Sequence, residues 1–234
     1  MIKRNRNDWC VTIRIVYSWR NCLVLYVDKK QERRNIMSYM IAYMTKEGIV
    51  IASDSYSCYG DRTLKDSNYK KIHQIGDVVI ASTGLNGFID EYTGKAIDIN
   101  ETYKEYFMNF DSIEEQINRY ISYIKRFCDR YVQDIRLIIV YKETLYVIDI
   151  IHSKETRMTT KRRGDVDIFC SGDELVAVNG LIQFRNSNID VSLKEAERRC
   201  KESVKYAIMT ENALHIEGQR TIGGKVQCLV IPFD

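Results

Sequence analysis

Two short apolar runs, set close together, most constrain what this chain can become. Residues 49–53 (Ile-Val-Ile-Ala-Ser) and 78–83 (Val-Val-Ile-Ala-Ser-Thr) hold almost no group that prefers water. Runs of this length and composition read as strands buried on both faces, or as sheet centres in a layered domain. Each has a partner just upstream. Residues 38–44 alternate and are rich in β-formers, with the polar turn Thr45-Lys46-Glu47-Gly48 after them. Residues 71–75 alternate again, and Gly76-Asp77 turns. Residues 38–84 therefore read as two consecutive β-hairpins. Their polar residues sit at strand boundaries: Ser38, Asp54 and Lys71 at starts or ends, with Gly84 closing the last run. At such places antiparallel strands can bring together a nucleophile, a lysine and a backbone N–H.

The rest of the chain supplies elements to cover these strands. Residues 85–110 carry Phe88, Ile89, Tyr92, Ala96, Tyr103, Tyr106 and Phe107 at spacings of three and four, which predicts a helix interrupted near Gly94 and residues 98–100. Asp111-Ser112-Ile113-Glu114 is a capping-box signature, and Ile113, Ile117, Tyr120, Ile121, Ile124 and Phe127 mark one face of the helix it opens. Residues 135–141 and 144–151 form a further hairpin about Lys142-Glu143, and residues 157–160 a short strand. Residues 165–170 lead into Ser171-Gly172-Asp173-Glu174, where Ser171 is placed to cap a short helix over residues 174–182. Ser192-Leu193-Lys194-Glu195 opens the longest helix, to about Thr210, and Gly223-Gly224 precede a last apolar strand over residues 226–231. Hairpins, two helices, hairpin, two helices and a strand satisfy every apolar face at once as an α+β, four-layer αββα sandwich: two antiparallel sheets face to face, with helices outside each.

Composition narrows the function classes. At 234 residues the chain suits one domain, or one domain and an extension. A net charge of +3 is too small to argue for nucleic acid, and one proline leaves no Pro-rich linker. The seven cysteines form no CxxC pair, and the three histidines lie far apart, so no metal or cofactor is expected. Unpaired, scattered thiols point to a reducing, cytoplasmic setting. Residues 1–37 differ from the remainder. Arg14, Arg20 and Asn21 interrupt their apolar stretch, so neither a signal peptide nor a membrane span is predicted. They read as a retained extension, a propeptide, or a segment upstream of a true start at Met37, with residues 38–234 as the folded domain.

Lys46-Glu47-Gly48-Ile49-Val50-Ile51-Ala52-Ser53-Asp54-Ser55, Lys70-Lys71-Ile72, Ile80-Ala81-Ser82-Thr83-Gly84, the middle hairpin with Tyr146-Val147-Ile148-Asp149, and Ile222-Gly223-Gly224-Lys225-Val226 occur in an order that resembles proteasome β-type subunits and the HslV peptidases. This resemblance spans residue 38 to about 231. It implies an N-terminal-nucleophile (Ntn) hydrolase of the threonine/serine type, acting on polypeptides in a ring homo-oligomer, with an ATPase or cap as partner and neither nucleic acid nor membrane. By the same resemblance Ser38 stands at the nucleophile position, and Asp54, sixteen residues on, at the aspartate. Lys71, or Lys70 if the loop is not lengthened, takes the lysine position. Gly84 would supply the oxyanion N–H, Ser171 matches a family serine, and Cys58 falls at a groove-lining position. An aspartate and a serine before the paired glycines have no counterpart: Gln219 and Ile222 stand there, with Glu217 nearby. Two further readings follow, a catalytically silent structural subunit and an amidohydrolase acting on a small amide.

In such an enzyme the first residue acts twice, its hydroxyl as nucleophile and its α-amine as base. The amine must be free, so the Met37–Ser38 peptide bond must be absent. Removal of an initiator Met37 before a small serine would achieve this.

Overall fold

The computed structural model describes residues 13–17, 23–27, 38–58, 64–90, 93–172, 176, 184, 187–215 and 220–234. In chain order the strands are β1 Ile13–Tyr17, β2 Leu23–Val27, β3 Met40–Met44, β4 Gly48–Ser53, β5 Ser57–Cys58, β6 Leu64–Asp66, β7 Ile72–Ile75, β8 Val78–Gly84, β9 Gly87–Ile89 and β10 Ala96–Asp98. Helices α1 (Ile99–Phe107) and α2 (Ile113–Tyr131) follow, then β11 Ile135–Tyr141, β12 Thr144–Ile150, β13 Arg157–Arg162 and β14 Asp167–Ser171. Helix α3 (Leu193–Leu214) and β15 (Gln227–Pro232) complete the order. The protein is thus a mixed α/β fold with three helices and several sheets among the described residues.

Two sheets dominate. One has the order β15-β4-β3-β14-β1-β2, the other β13-β12-β11-β8-β7, and each pairing is antiparallel. The alternation of side chains along a strand explains why the runs are apolar throughout. On β3 and β4, Met40, Ala42, Met44, Ile49 and Ile51 join Val79, Ala81, Ile138, Val140, Leu145 and Val147 of the other sheet in one cluster. The alternate residues Ile41, Tyr43, Val50 and Ala52 instead pack with Ala196, Cys200, Val204 and Ala207 of α3. Val78, Ile80, Leu137, Ile139 and Ile148 pack with Ile99, Tyr103, Phe107, Ile117, Tyr120 and Ile124 of α1 and α2. β3, β4 and β8 are buried along their whole length.

The box read over Ser192–Glu195 caps as the sequence implies, whereas the one read over Asp111–Glu114 is displaced by one residue, with Ser112 and not Asp111 as the cap. Ser112 accepts from the Glu115 N–H and opens α2, and Ser192 accepts from the Glu195 N–H and opens α3. The helix expected over residues 85–110 is shorter. It begins only at Ile99, capped by Asp98, and the strands β9 and β10 precede it. The cause is local: Asp90 accepts from the Thr93 N–H and hydroxyl, and Gly94 takes φ +67° in the turn between the two strands. Helix-like spacing persisted because Phe88, Ile97, Ile99 and Tyr103 all feed one cluster. The short helix expected over residues 174–182 lies almost wholly outside the described residues, and Ser171 ends β14.

Cys128, Cys200 and Cys228 are free thiols. Burial pushes the Cys128 thiol up to about 12 and that of Cys228 to about 11, which keeps both protonated and inert. Among the described residues no helix is long and apolar enough to cross a membrane.

Candidate functional site

The inter-sheet core turns polar at one end. Met40 pairs with Ser53 in the β3–β4 hairpin, so the residues just outside it, Ser38–Tyr39 and Asp54, lie side by side. Two backbone-anchored bonds join them: the Tyr39 N–H donates to Asp54 Oδ1 at 2.9 Å, and the Asp54 N–H to the Tyr39 carbonyl at 3.2 Å. Lys71 enters from the other sheet, one residue before β7. Its Nζ stands 2.8 Å from Ser38 Oγ and 2.7 Å from Asp54 Oδ1. Ser38 and Asp54 are 0% exposed and Lys71 is 1% exposed. Of the two lysines the sequence leaves open, Lys71 makes these contacts, whereas Lys70 is exposed.

A buried carboxylate is stable only if its lone pairs are satisfied. Asp54 meets the requirement with four donors. Besides Tyr39 and Lys71 on Oδ1, the N–H groups of Tyr56 and Gly223 reach Oδ2, each at 3.1 Å. Burial holds the Lys71 ammonium below the ordinary lysine range, and Asp54 opposes that fall by charge and hydrogen bond. The Lys71 N–H is fixed by Gln227 Oε1 at 2.9 Å, from the first residue of β15.

Gly84 and Ser171 reach the same end of the sheets but make different bonds. Gly84 has φ +102°, and a Cβ there would lie 2.1 Å from the Asp134 carbonyl oxygen. The strand end therefore requires glycine whatever the chemistry. A Gly84→Ala chain is expected to lose at least about 2 kcal/mol of stability, measured as a fall in the denaturant midpoint. An unchanged midpoint would contradict the backbone approach. The Ser171 hydroxyl shares a 2.8 Å hydrogen bond with Thr83 Oγ1, linking the two sheets. The next residue, Gly172, abuts Ser38: a Cβ on it would stand 3.2 Å from the Ser38 carbonyl oxygen. Cys58 is buried, its thiol 3.5 Å from the Arg220 carbonyl.

Several contributors were given no site role from the sequence. Gly223 donates to Asp54, and a Cβ on it would meet the Tyr56 ring at 2.7 Å, while one on Gly224 would meet Ser55 Oγ at 2.3 Å. The paired glycines are thus a packing requirement. Arg136 is buried opposite Thr83, grips Asp149 through Nε at 2.5 Å and a second nitrogen at 2.9 Å, and also donates to the Cys170 carbonyl. The ion pair lies within the middle hairpin, and the bond to the Cys170 carbonyl ties that hairpin to the end of β14. The turn at Lys142-Glu143 already sets Arg136 opposite Asp149, so hairpin register was the signal that could have found it. Ile222 is buried, and residues 216–219, with Glu217 and Gln219, lie outside the described residues. His73 contacts the Lys70 carbonyl, His152 Asp134, and His215 Glu211. Among the described residues no group of three or more His, Cys, Asp or Glu side chains could hold a metal ion.

Chemically, the arrangement presents a hydroxyl to a lysine that a carboxylate orients, in a dry setting where such charges act strongly. Comparison with known proteins bears on the fold. No family model matches the chain, and no curated protein is similar to it by sequence. Among solved structures it is similar to Anbu (ancestral beta-subunit) from Yersinia bercovieri, at 18% identity and TM-score 0.56, over 83% of this chain and 82% of that one. It is also similar to the Gly-1 mutant of Anbu from Hyphomicrobium sp. strain MC1, at 15% identity and TM-score 0.53, over 83% and 81%. These identities show a shared fold alone. They correct the assignment to proteasome β-type subunits or HslV, which no family or sequence match supports. The physical reason is visible in the motifs themselves. The apolar runs and the paired glycines are dictated by doubly buried strands and close backbone approach, so they report an architecture and not a lineage.

Proposed function

We propose that the chain, once Ser38 is its amino terminus, is an Ntn hydrolase that cleaves amide bonds in polypeptides within a ring of like subunits. The three apolar clusters support reading its layers as the αββα sandwich. One observation carries the catalytic reading: Lys71 Nζ bridges Ser38 Oγ and Asp54 Oδ1 inside a buried end of the sheets.

In this reading the Ser38 α-amine takes the proton from Oγ, and Oγ bonds to the substrate carbonyl carbon. The tetrahedral oxyanion is met by the Gly84 N–H, a term typically worth about 3–4 kcal/mol. Collapse breaks the C–N bond, the leaving amine receives the proton, and an ester on Ser38 remains. Water, deprotonated by the same amine, then releases the acid. Lys71 as a cation favours the neutral amine and the developing alkoxide, and Asp54 keeps that cation in place. Ser171 and Thr83 hold the neighbouring strand ends together.

The experiment compares a chain beginning at Ser38 with one that retains Met37, using a fluorogenic peptide and a small anilide. The Ser38 chain is expected to hydrolyse the peptide, with kcat/KM rising below the ordinary α-amine range of about 7.7–8.0 because Lys71 favours the neutral amine, and the Met37 chain to be inert. Equal turnover by both chains would remove the α-amine from the mechanism. Turnover of the anilide alone would favour a small-amide substrate, and no turnover with Ser38 exposed a structural subunit. Gel filtration of the same samples tests the ring.

A further inference from the structure

Glu211 lies in the last turn of α3 and is 1% exposed. A carboxylate there meets the negative end of the helix dipole and loses its water, so an apolar side chain would be the cheaper occupant. What it gains is specific. Oε1 accepts from the Thr221 N–H at 2.6 Å and from the Thr221 hydroxyl at 3.1 Å. Oε2 lies 3.3 Å from His215 Nδ1, and Arg220 donates to the His215 carbonyl. Beyond Thr221 the segment is pinned residue by residue. Ile222 packs into the cluster under α3, and the Gly223 carbonyl accepts from the Ser55 N–H at 3.0 Å. The Gly223 N–H then reaches Asp54 Oδ2, the carboxylate whose other oxygen holds Lys71 against Ser38.

We propose that Glu211 is a positioning residue for the hydrolytic site: it anchors Thr221 so that the Gly223 N–H stays on Asp54, and through Asp54 it sets the Lys71–Ser38 contact. This rests on the catalytic reading of Ser38, Asp54 and Lys71. A charge-assisted N–H bond is stronger and more directional than a neutral one, so a displaced Gly223 leaves Asp54 freer to turn and Lys71 off its line to Ser38. Glu211 touches neither substrate nor nucleophile, so its loss acts on the chemical step and leaves substrate binding alone.

The test uses chains beginning at Ser38, carrying Glu211→Met, Glu211→Gln or Thr221→Val. Peptide turnover is normalised to folded protein, and amide exchange at Gly223 is followed alongside. Glu211→Met is expected to lower kcat about tenfold with KM within about twofold, and to speed Gly223 exchange. Glu211→Gln keeps an acceptor for the Thr221 N–H and restores most of both, and Thr221→Val, which loses only the hydroxyl bond, falls between. Unchanged kcat per folded molecule in Glu211→Met, or a glutamine variant no better than methionine, overturns the proposal. Faster exchange without a change in kcat reduces Glu211 to a structural role and overturns it too. If the parent chain hydrolyses nothing, it is the catalytic reading that falls, and Gly223 exchange still shows whether Glu211 holds the segment.

Discussion

A Ser38→Ala chain that begins at residue 38 will fold like its parent and lose peptide hydrolysis by about 10⁴-fold or more. In the proposed reaction the substitution removes the one atom that attacks. It strands no charge, because the Lys71 ammonium keeps Asp54 Oδ1 at 2.7 Å after Oγ has gone. The buried hydrogen bond from Lys71 Nζ that the fold loses is worth about 1–2 kcal/mol. The two effects differ by orders of magnitude, and that separation makes the experiment informative. Turnover of the fluorogenic peptide and the denaturant midpoint, taken on the same preparation, measure both. Hydrolysis that survives in a cleanly purified variant would place the nucleophile elsewhere.

Replacing Asp54 with alanine should do the reverse and strike the fold first. The change leaves a buried Lys71 cation with no carboxylate and frees the N–H groups of Tyr39, Tyr56 and Gly223 from their acceptor. Breaking a buried pair from one side costs about 3–5 kcal/mol, a large part of the stability of a domain of this size. The deficit should depend on pH, with a sign the site fixes. Lys71 has a folded-state pKa below its ordinary value of 10.5, and losing Asp54 removes the group that opposed the fall. A lowered lysine penalises the folded state fully below its folded pKa, and the penalty fades as pH rises from there towards the unfolded value. The variant should thus regain stability relative to its parent at alkaline pH. Denaturant midpoints measured from neutral to alkaline pH test this. A constant deficit would mean that Lys71 is already neutral when Asp54 is present.

Local rules made much of this protein readable. The hairpins over residues 38–84 were legible because a strand buried on both faces cannot carry polar residues, and its turns cannot carry much else. The capping serine of α3 was legible, and the cap of α2 to within one residue, because an N-cap is a local bond between a side chain and an N–H three residues on. The start of α1 was less so. A helical spacing and a pair of short strands feeding the same cluster look alike until Asp90 and Gly94 set the turn. The Arg136–Asp149 pair was present in the hairpin register but masked by the apolar residues around it.

By itself the sequence determined the long buried strands, the cap of α3 and the hairpin that sets Ser38 beside Asp54, because each follows from contacts near in the chain. Only the tertiary structure decided which lysine arrives: both precede β7, and it is Lys71 whose Nζ is buried against Ser38 and Asp54, while Lys70 is exposed. It alone showed that Gly223 solvates Asp54 from 169 residues away, that Glu211 anchors the segment before it, and that Ser171 is held by Thr83. The Gly223–Asp54 and Ser171–Thr83 bonds join elements far apart in the chain. Their geometry exists only once two sheets have closed over a shared apolar core, and no local pattern encodes it.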